Sequence, residues 1–179
     1  MKNSDKKRLS AREIAVFAML GALMLVSKTL LEAVPNIHPV TMLLMVYTAV
    51  YRKKAIFPLV IYLVLDTLKW GIMTMVPYFY IFPLCWLCTL LVPATLSNTK
   101  KQICYTVICT FFGIAFGTLY APWQAFVFLK TFELSKIFAW IAAGFSYDLI
   151  HAAGNFAASF LILPLAELLI KLEKGISPG

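Results

Sequence analysis

Asp148, His151 and Asn155 stand three and seven residues apart in an otherwise apolar stretch late in the chain. On a helix those offsets put a carboxylate, an imidazole and an amide on one face. Such a set can move a proton as an acid–base pair, or hold a polar molecule by matched donors and acceptors. Two plainer roles stand beside these. The helix dipole favours a carboxylate in a first turn, which accounts for Asp148 alone. A hydrogen-bond network between helices accounts for His151 and Asn155. Asp66 with Lys69, and Lys28 with Glu32, carry opposite charges one turn apart, where an internal ion pair is the simple account.

Aromatic residues form a second concentration. Trp70, Tyr78, Phe79, Tyr80, Phe82 and Trp86 crowd one region, and Tyr120, Trp123, Phe126 and Phe128 follow later. Rings at this density serve either as the interfacial belt of a membrane protein or as the walls of a small-molecule pocket.

Other chemistries lack their residues. The chain has no G-x-x-x-x-G-K-[ST] loop to cradle ATP phosphates, no H-E-x-x-H, no G-x-S-x-G, and two histidines in all. Four cysteines lie in apolar runs, and Cys85-x-x-Cys88 lacks the second pair a zinc site needs. No catalytic residue, metal or cofactor is therefore expected of this chain.

The elements that position these groups must lie in lipid. Of 179 residues, 61 % are hydrophobic and 13 % charged, and the mean hydropathy is +0.84. A soluble globule is about half apolar and a quarter charged, so a water-soluble enzyme is excluded. The net charge of +8 sits in clumps between apolar runs and carries no nucleic-acid motif, so nucleic acid is not an expected partner. The first apolar run is too long for the core of a signal peptide and lacks a small-x-small cleavage site. No internal repeat is evident.

Apolar runs and their punctuation predict one all-α transmembrane domain over 1–179. A basic tail, 1–10, precedes six spans at about 11–31, 37–51, 55–70, 78–96, 102–123 and 147–171. Gly144 and Ser146 offer a break, so 134–143 is expected to form a short interfacial helix before the sixth span. With both termini in the cytoplasm, twelve basic residues face inward: Lys2 to Arg12, Arg52 to Lys54, Lys100, Lys101, Lys171 and Lys174. Only Lys28, Lys69, Lys130 and Lys136 lie toward the outside, as the positive-inside rule requires. Omitting the short second span would throw one basic clump outward.

Ala11, Ala15, Ala18 and Ala22 make a small-residue stripe on the first span, widened by Gly21. Such a stripe lets a second helix approach closely in lipid, inside this bundle or on a separate subunit. Gly113-x-x-x-Gly117 is a similar packing signal. Pro83, Pro93, Pro122 and Pro164 interrupt the spans.

The segment Ser10-Ala11-Arg12-Glu13-Ile14-Ala15-Val16-Phe17-Ala18-Met19-Leu20-Gly21-Ala22, the late Phe145-Ser146-Tyr147-Asp148-Leu149-Ile150-His151-Ala152-Ala153-Gly154-Asn155 and the six spans together resemble the S component of an energy-coupling factor (ECF) vitamin transporter. The resemblance covers the whole chain and is weakly nearest the cobalamin type. It implies a multi-pass subunit of the cell membrane that binds a vitamin near the outer surface. A transmembrane coupling (T) subunit and two cytoplasmic ATPases would be its partners, with ATP spent by those ATPases. It also implies docking through an A-x-x-x-A motif on the first helix, which Ala11 to Ala15 and Ala18 to Ala22 match, while Ala15 is followed at that spacing by Met19. The pocket would be built by the later helices and the loops 35–39, 71–77 and 130–136, and the body would topple in the bilayer to deliver its load. The expected binding residues are Asp148, His151, Asn155, Asp66, Trp70, Tyr78, Tyr80 and Trp86. Pantothenate, pyridoxine-like and riboflavin-like ligands stay open beside cobalamin. An integral-membrane enzyme using Asp148 and His151, and an assembly subunit, are the rival classes.

Overall fold

The computed structural model describes residues 9–33 and 39–176. All regular structure among them is helical: α1 (Ala11–Leu30), α2 (Val40–Tyr51), α3 (Ile56–Trp70), α4 (Ile72–Met75), α5 (Tyr78–Leu90), α6 (Asn98–Leu129), α7 (Leu134–Ser159) and α8 (Ile162–Ile176), with a 3-10 turn at Arg52–Ala55. Three segments, Ala11–Leu30, Ile72–Leu90 and Asn98–Leu129, are long and apolar enough to cross a membrane. The bent pair α7 and α8 makes a fourth if it counts as one span. This is the make-up of an all-α membrane protein. Large apolar side chains also point outward throughout: Leu68, Leu91, Leu30 and Val107 are more than half exposed. Water would penalise that surface, and lipid does not.

Ser10 starts α1 with a capping box. Its Oγ accepts the Glu13 N–H at 3.2 Å, and the Glu13 carboxylate accepts the Ser10 N–H at 2.9 Å. Gly21 brings α1 against α3 so closely that a Cβ there would stand 2.7 Å from Ile61 Cγ2 and 2.9 Å from the Pro58 carbonyl. The short α2 is the core. Every residue from Val40 to Thr48 is buried, and α1, α5, α6, α7 and α8 all contact the helix. Its 12 residues measure about 18 Å, well short of the roughly 30 Å hydrocarbon thickness. The start proposed for the second span, at 37, lies outside the described residues, as does most of the loop 35–39. At the far end of α2, Arg52 adopts a positive φ of 53° and donates to the carbonyls of Leu90 (2.6 Å) and Val92 (3.3 Å), tying α2 to the end of α5.

The helix limits differ from the sequence expectation in three places. α5 ends at Leu90 rather than near 96, because Pro93 cannot continue a helix and its approach disfavours helical backbone. α6 starts early and ends late, at 32 residues. Ser97 caps it, which makes Asn98–Lys101 its first turn rather than a loop, and Pro122 is accommodated within it. Most consequentially, no break falls at Gly144 or Ser146. The expected interfacial helix 134–143 and the first half of the sixth span are one helix, α7. The bend, 47°, comes after Ser159 instead. Pro164 explains its position: its ring collides with the carbonyl four residues back, at Phe160, and supplies no N–H for it.

α6 and α7 pack along their lengths as an antiparallel hairpin. The register reads Gln124 beside Trp140, Gly117 beside Asp148, Gly113 beside Ala152, Cys109 beside Asn155, and Thr106 beside Ser159. A Cβ on Gly113 would lie 2.6 Å from the Ala152 Cα, so this contact is backbone on backbone.

Candidate functional site

The chain alternates direction along the bundle. The ends of α1, α3 and α6 therefore meet the starts of α5 and α7 at one end. The basic groups Arg52, Lys54, Lys100 and Lys101 gather at the other, where Lys54 pairs with Glu13. At the first end is a cavity of about 600 Å³. The hairpin forms one wall, with Phe116, Gly117, Tyr120 and Gln124 from α6 and Trp140, Gly144, Tyr147, Asp148 and His151 from α7. Lys28 lies in the last turn of α1 and Glu32 just beyond it, Trp70 ends α3, Thr74 and Met75 come from α4, and Tyr78 opens α5. Side chains clamp the α4 region to the hairpin: Trp123 Nε1 donates to the Met73 carbonyl at 2.6 Å, and the Tyr120 hydroxyl donates to that of Thr74.

The aromatic groups form a continuous lining. Tyr78 meets Phe116 edge-on at 5.8 Å, Phe116 stacks on Tyr120 at 5.8 Å, and His151 lies 5.0 Å from Phe116. Trp140 is fixed by donation to the Gln124 side-chain carbonyl across the hairpin. Asp148 is 6 % exposed, and its Oδ1 accepts the Gly117 N–H at 2.9 Å. That contact needs glycine: a Cβ at 117 would stand 2.5 Å from both carboxylate oxygens.

Charges pair between α1 and α3, not within them as the spacing suggested. Lys28 Nζ reaches Asp66 Oδ2 at 2.7 Å, with both side chains at 7 % exposure or less, and Lys69 reaches Glu32. The two helices run side by side in parallel, so each residue finds its partner across the interface. Tyr62 donates to the same Asp66 oxygen at 3.1 Å, and Lys28 lies 4.8 Å from the centre of the Tyr78 ring.

Of the eight residues expected to bind a ligand, Asp148, His151, Trp70 and Tyr78 line this cavity. Asp66 stands behind it, paired with Lys28. The other three lie away from it. Asn155 is 2 % exposed and donates from Nδ2 to the Cys109 carbonyl at 3.0 Å, holding α7 to α6. Tyr80 points its hydroxyl at the Leu119 carbonyl, 2.7 Å away, on the outside of the helix pair. Trp86 lies two turns deeper than Tyr78, and its Nε1 donates to the Arg52 carbonyl at 3.4 Å, at the basic end. Sequence reasoning missed Phe116, Gln124, Trp140 and Tyr147. Their signal was present: Trp140, Gly144, Tyr147 and His151 follow each other at four, three and four residues. Assigning 134–143 to a separate helix cut that stripe in half.

On the stripe of α1, Ala11, Ala15 and Ala18 are exposed and Ala22 is half-buried, while Phe17, Leu20, Gly21 and Met24 face inward. A second cavity, of about 530 Å³, opens at the basic end among Arg12, Glu13, Tyr51, Lys54 and Glu173. Several of its polar groups are bound to one another: Lys54 to Glu13, Tyr51 to the Glu173 carboxylate, and Arg12 to the Glu173 carbonyl. Among the described residues no group of three or more His, Cys, Asp or Glu could hold a metal ion.

No protein-family model matches the chain, and neither a curated protein nor a solved structure is significantly similar to it.

Proposed function

We propose that this chain is the substrate-binding subunit of an ATP-driven vitamin importer of the ECF type, crossing the cell membrane six times with both termini in the cytoplasm. The observation that carries the proposal is the aromatic-lined cavity at the end of the bundle away from the basic clumps, within a body whose surface is apolar. Basic clumps belong on the cytoplasmic side, so the cavity opens outward, where a nutrient arrives. The buried α2 makes a sixth crossing physically acceptable despite its length, since its surface contacts protein rather than lipid. The exposed alanine stripe on α1 supplies a face for the T subunit, and two cytoplasmic ATPases complete the machine.

A cavity of about 600 Å³ falls within the roughly 300–1,000 Å³ of sites that enclose drug-sized molecules. Its volume accommodates a pyridoxine-, pantothenate- or riboflavin-sized molecule. A cobalamin would place only part of its mass there and leave the rest in the mouth. The smaller vitamins are therefore the better match to this geometry.

Mass spectrometry of the small molecules that co-purify with the protein tests the proposal. A water-soluble vitamin, retained in stoichiometric amount and not chemically altered, is the expected result. A bound lipid substrate converted to product by the chain alone would instead assign an integral-membrane enzyme.

A further inference from the structure

Of the carboxylates at and behind the cavity, two have a lysine partner and one does not. Lys28 is paired with Asp66, and Lys69 with Glu32. Asp148 remains, nine-tenths buried, holding the Gly117 N–H, and among the described residues no lysine or arginine pairs with it. A carboxylate in such surroundings is costly when charged and, when protonated, gives up its strongest interactions. A cation placed against it resolves both states.

The walls around it suit the same charge. Phe116, Tyr120, Trp140 and Tyr147 bring ring systems to the cavity that holds the carboxylate, and aromatic faces attract a cation and stack on a flat heterocycle. An anionic ligand would meet Asp148 uncompensated and find the Lys28 ammonium already committed to Asp66. His151, the other titratable group here, sits edge-on to Phe116 one turn further along α7.

We infer that the ligand carries a positively charged nitrogen on or beside a flat ring, seated with that charge against Asp148 and its ring against the aromatic wall. This rests on the reading of the chain as a binding subunit and narrows it to one charge class.

Calorimetry on the purified full chain in detergent tests the inference with four probes: thiamine and pyridoxamine as cations, riboflavin as a neutral ring, and pantothenate as an anion. At least one cation should bind. Asp148→Asn should weaken that binding by about tenfold to a hundredfold, the size expected for loss of a charged hydrogen bond. The amide can still accept the Gly117 N–H, so the thermal unfolding of the ligand-free variant should stay close to that of the parent. Gly117→Ala, which drives a Cβ into the carboxylate, should weaken the same probe. Binding of riboflavin or pantothenate without either cation overturns the charge assignment and leaves the importer reading standing. Cation binding unaffected by Asp148→Asn also overturns the charge assignment. A folded chain that binds none of the four overturns the charge assignment, and the importer reading then stands or falls on the co-purifying molecule.

Discussion

Ala15→Trp and Ala18→Trp should each abolish uptake in cells while the isolated chain keeps its affinity for ligand. The physical reason lies in which face of α1 the fold consumes. Phe17, Leu20, Gly21 and Met24 pack inward, Gly21 so tightly that a single methyl would collide with Ile61. Ala11, Ala15 and Ala18 stay exposed. Helices in lipid gain little from mutual apolar contact and associate where small side chains let their backbones approach. An indole at either position holds a partner helix off by the thickness of a ring. Because the cavity lies at the other end of α1, near Lys28, ligand affinity should be untouched. Undiminished uptake in both variants would remove the docking role from this face.

Lys28→Met should destabilise the fold by about 3–5 kcal/mol, since it leaves the Asp66 carboxylate at 0 % exposure without its counter-charge. The double variant Lys28→Met with Asp66→Leu should recover most of that loss, because replacing both members of a buried pair by apolar groups of similar size is close to neutral. Asp66 Oδ1 has no hydrogen-bond partner among the described residues, so the pair is not fully compensated even when intact. Thermal unfolding in detergent reads the difference. A double variant no more stable than Lys28→Met would show that the pair, as a pair, is not what the single substitution disrupts.

The sequence made some of this legible and hid the rest for definite reasons. The helical, lipid-soluble character follows from composition and from apolar runs of span length. Gly113-x-x-x-Gly117 correctly announces a close helix contact, now located against Ala152 and Asp148. Asp148 and His151 stand out because a polar group among apolar neighbours is conspicuous, and both line the cavity. Asn155 stands out equally, yet it serves as a clamp to the Cys109 carbonyl. Periodicity gives the face of a helix and not what that face meets. Trp86 departs from the expected site for a related reason: eight residues along a helix is about 12 Å of rise, which carries it from the cavity's depth to the basic end. The charge pairs were hidden because spacing along one chain segment records neighbours within a helix. The partners of Lys28 and Lys69 come from a second helix running parallel. Gly144 and Ser146 look like a break but cost a packed helix little, whereas Pro164 imposes one through its ring.

Transport by reconstituted vesicles bears most directly on the central claim. Vesicles holding this chain alone should bind the co-purifying molecule but not concentrate it, with or without a proton or sodium gradient. Adding a T subunit and ATPases with internal ATP should produce accumulation against a gradient. Concentrative uptake by the lone chain, driven by an ion gradient, would contradict the account and identify a secondary transporter.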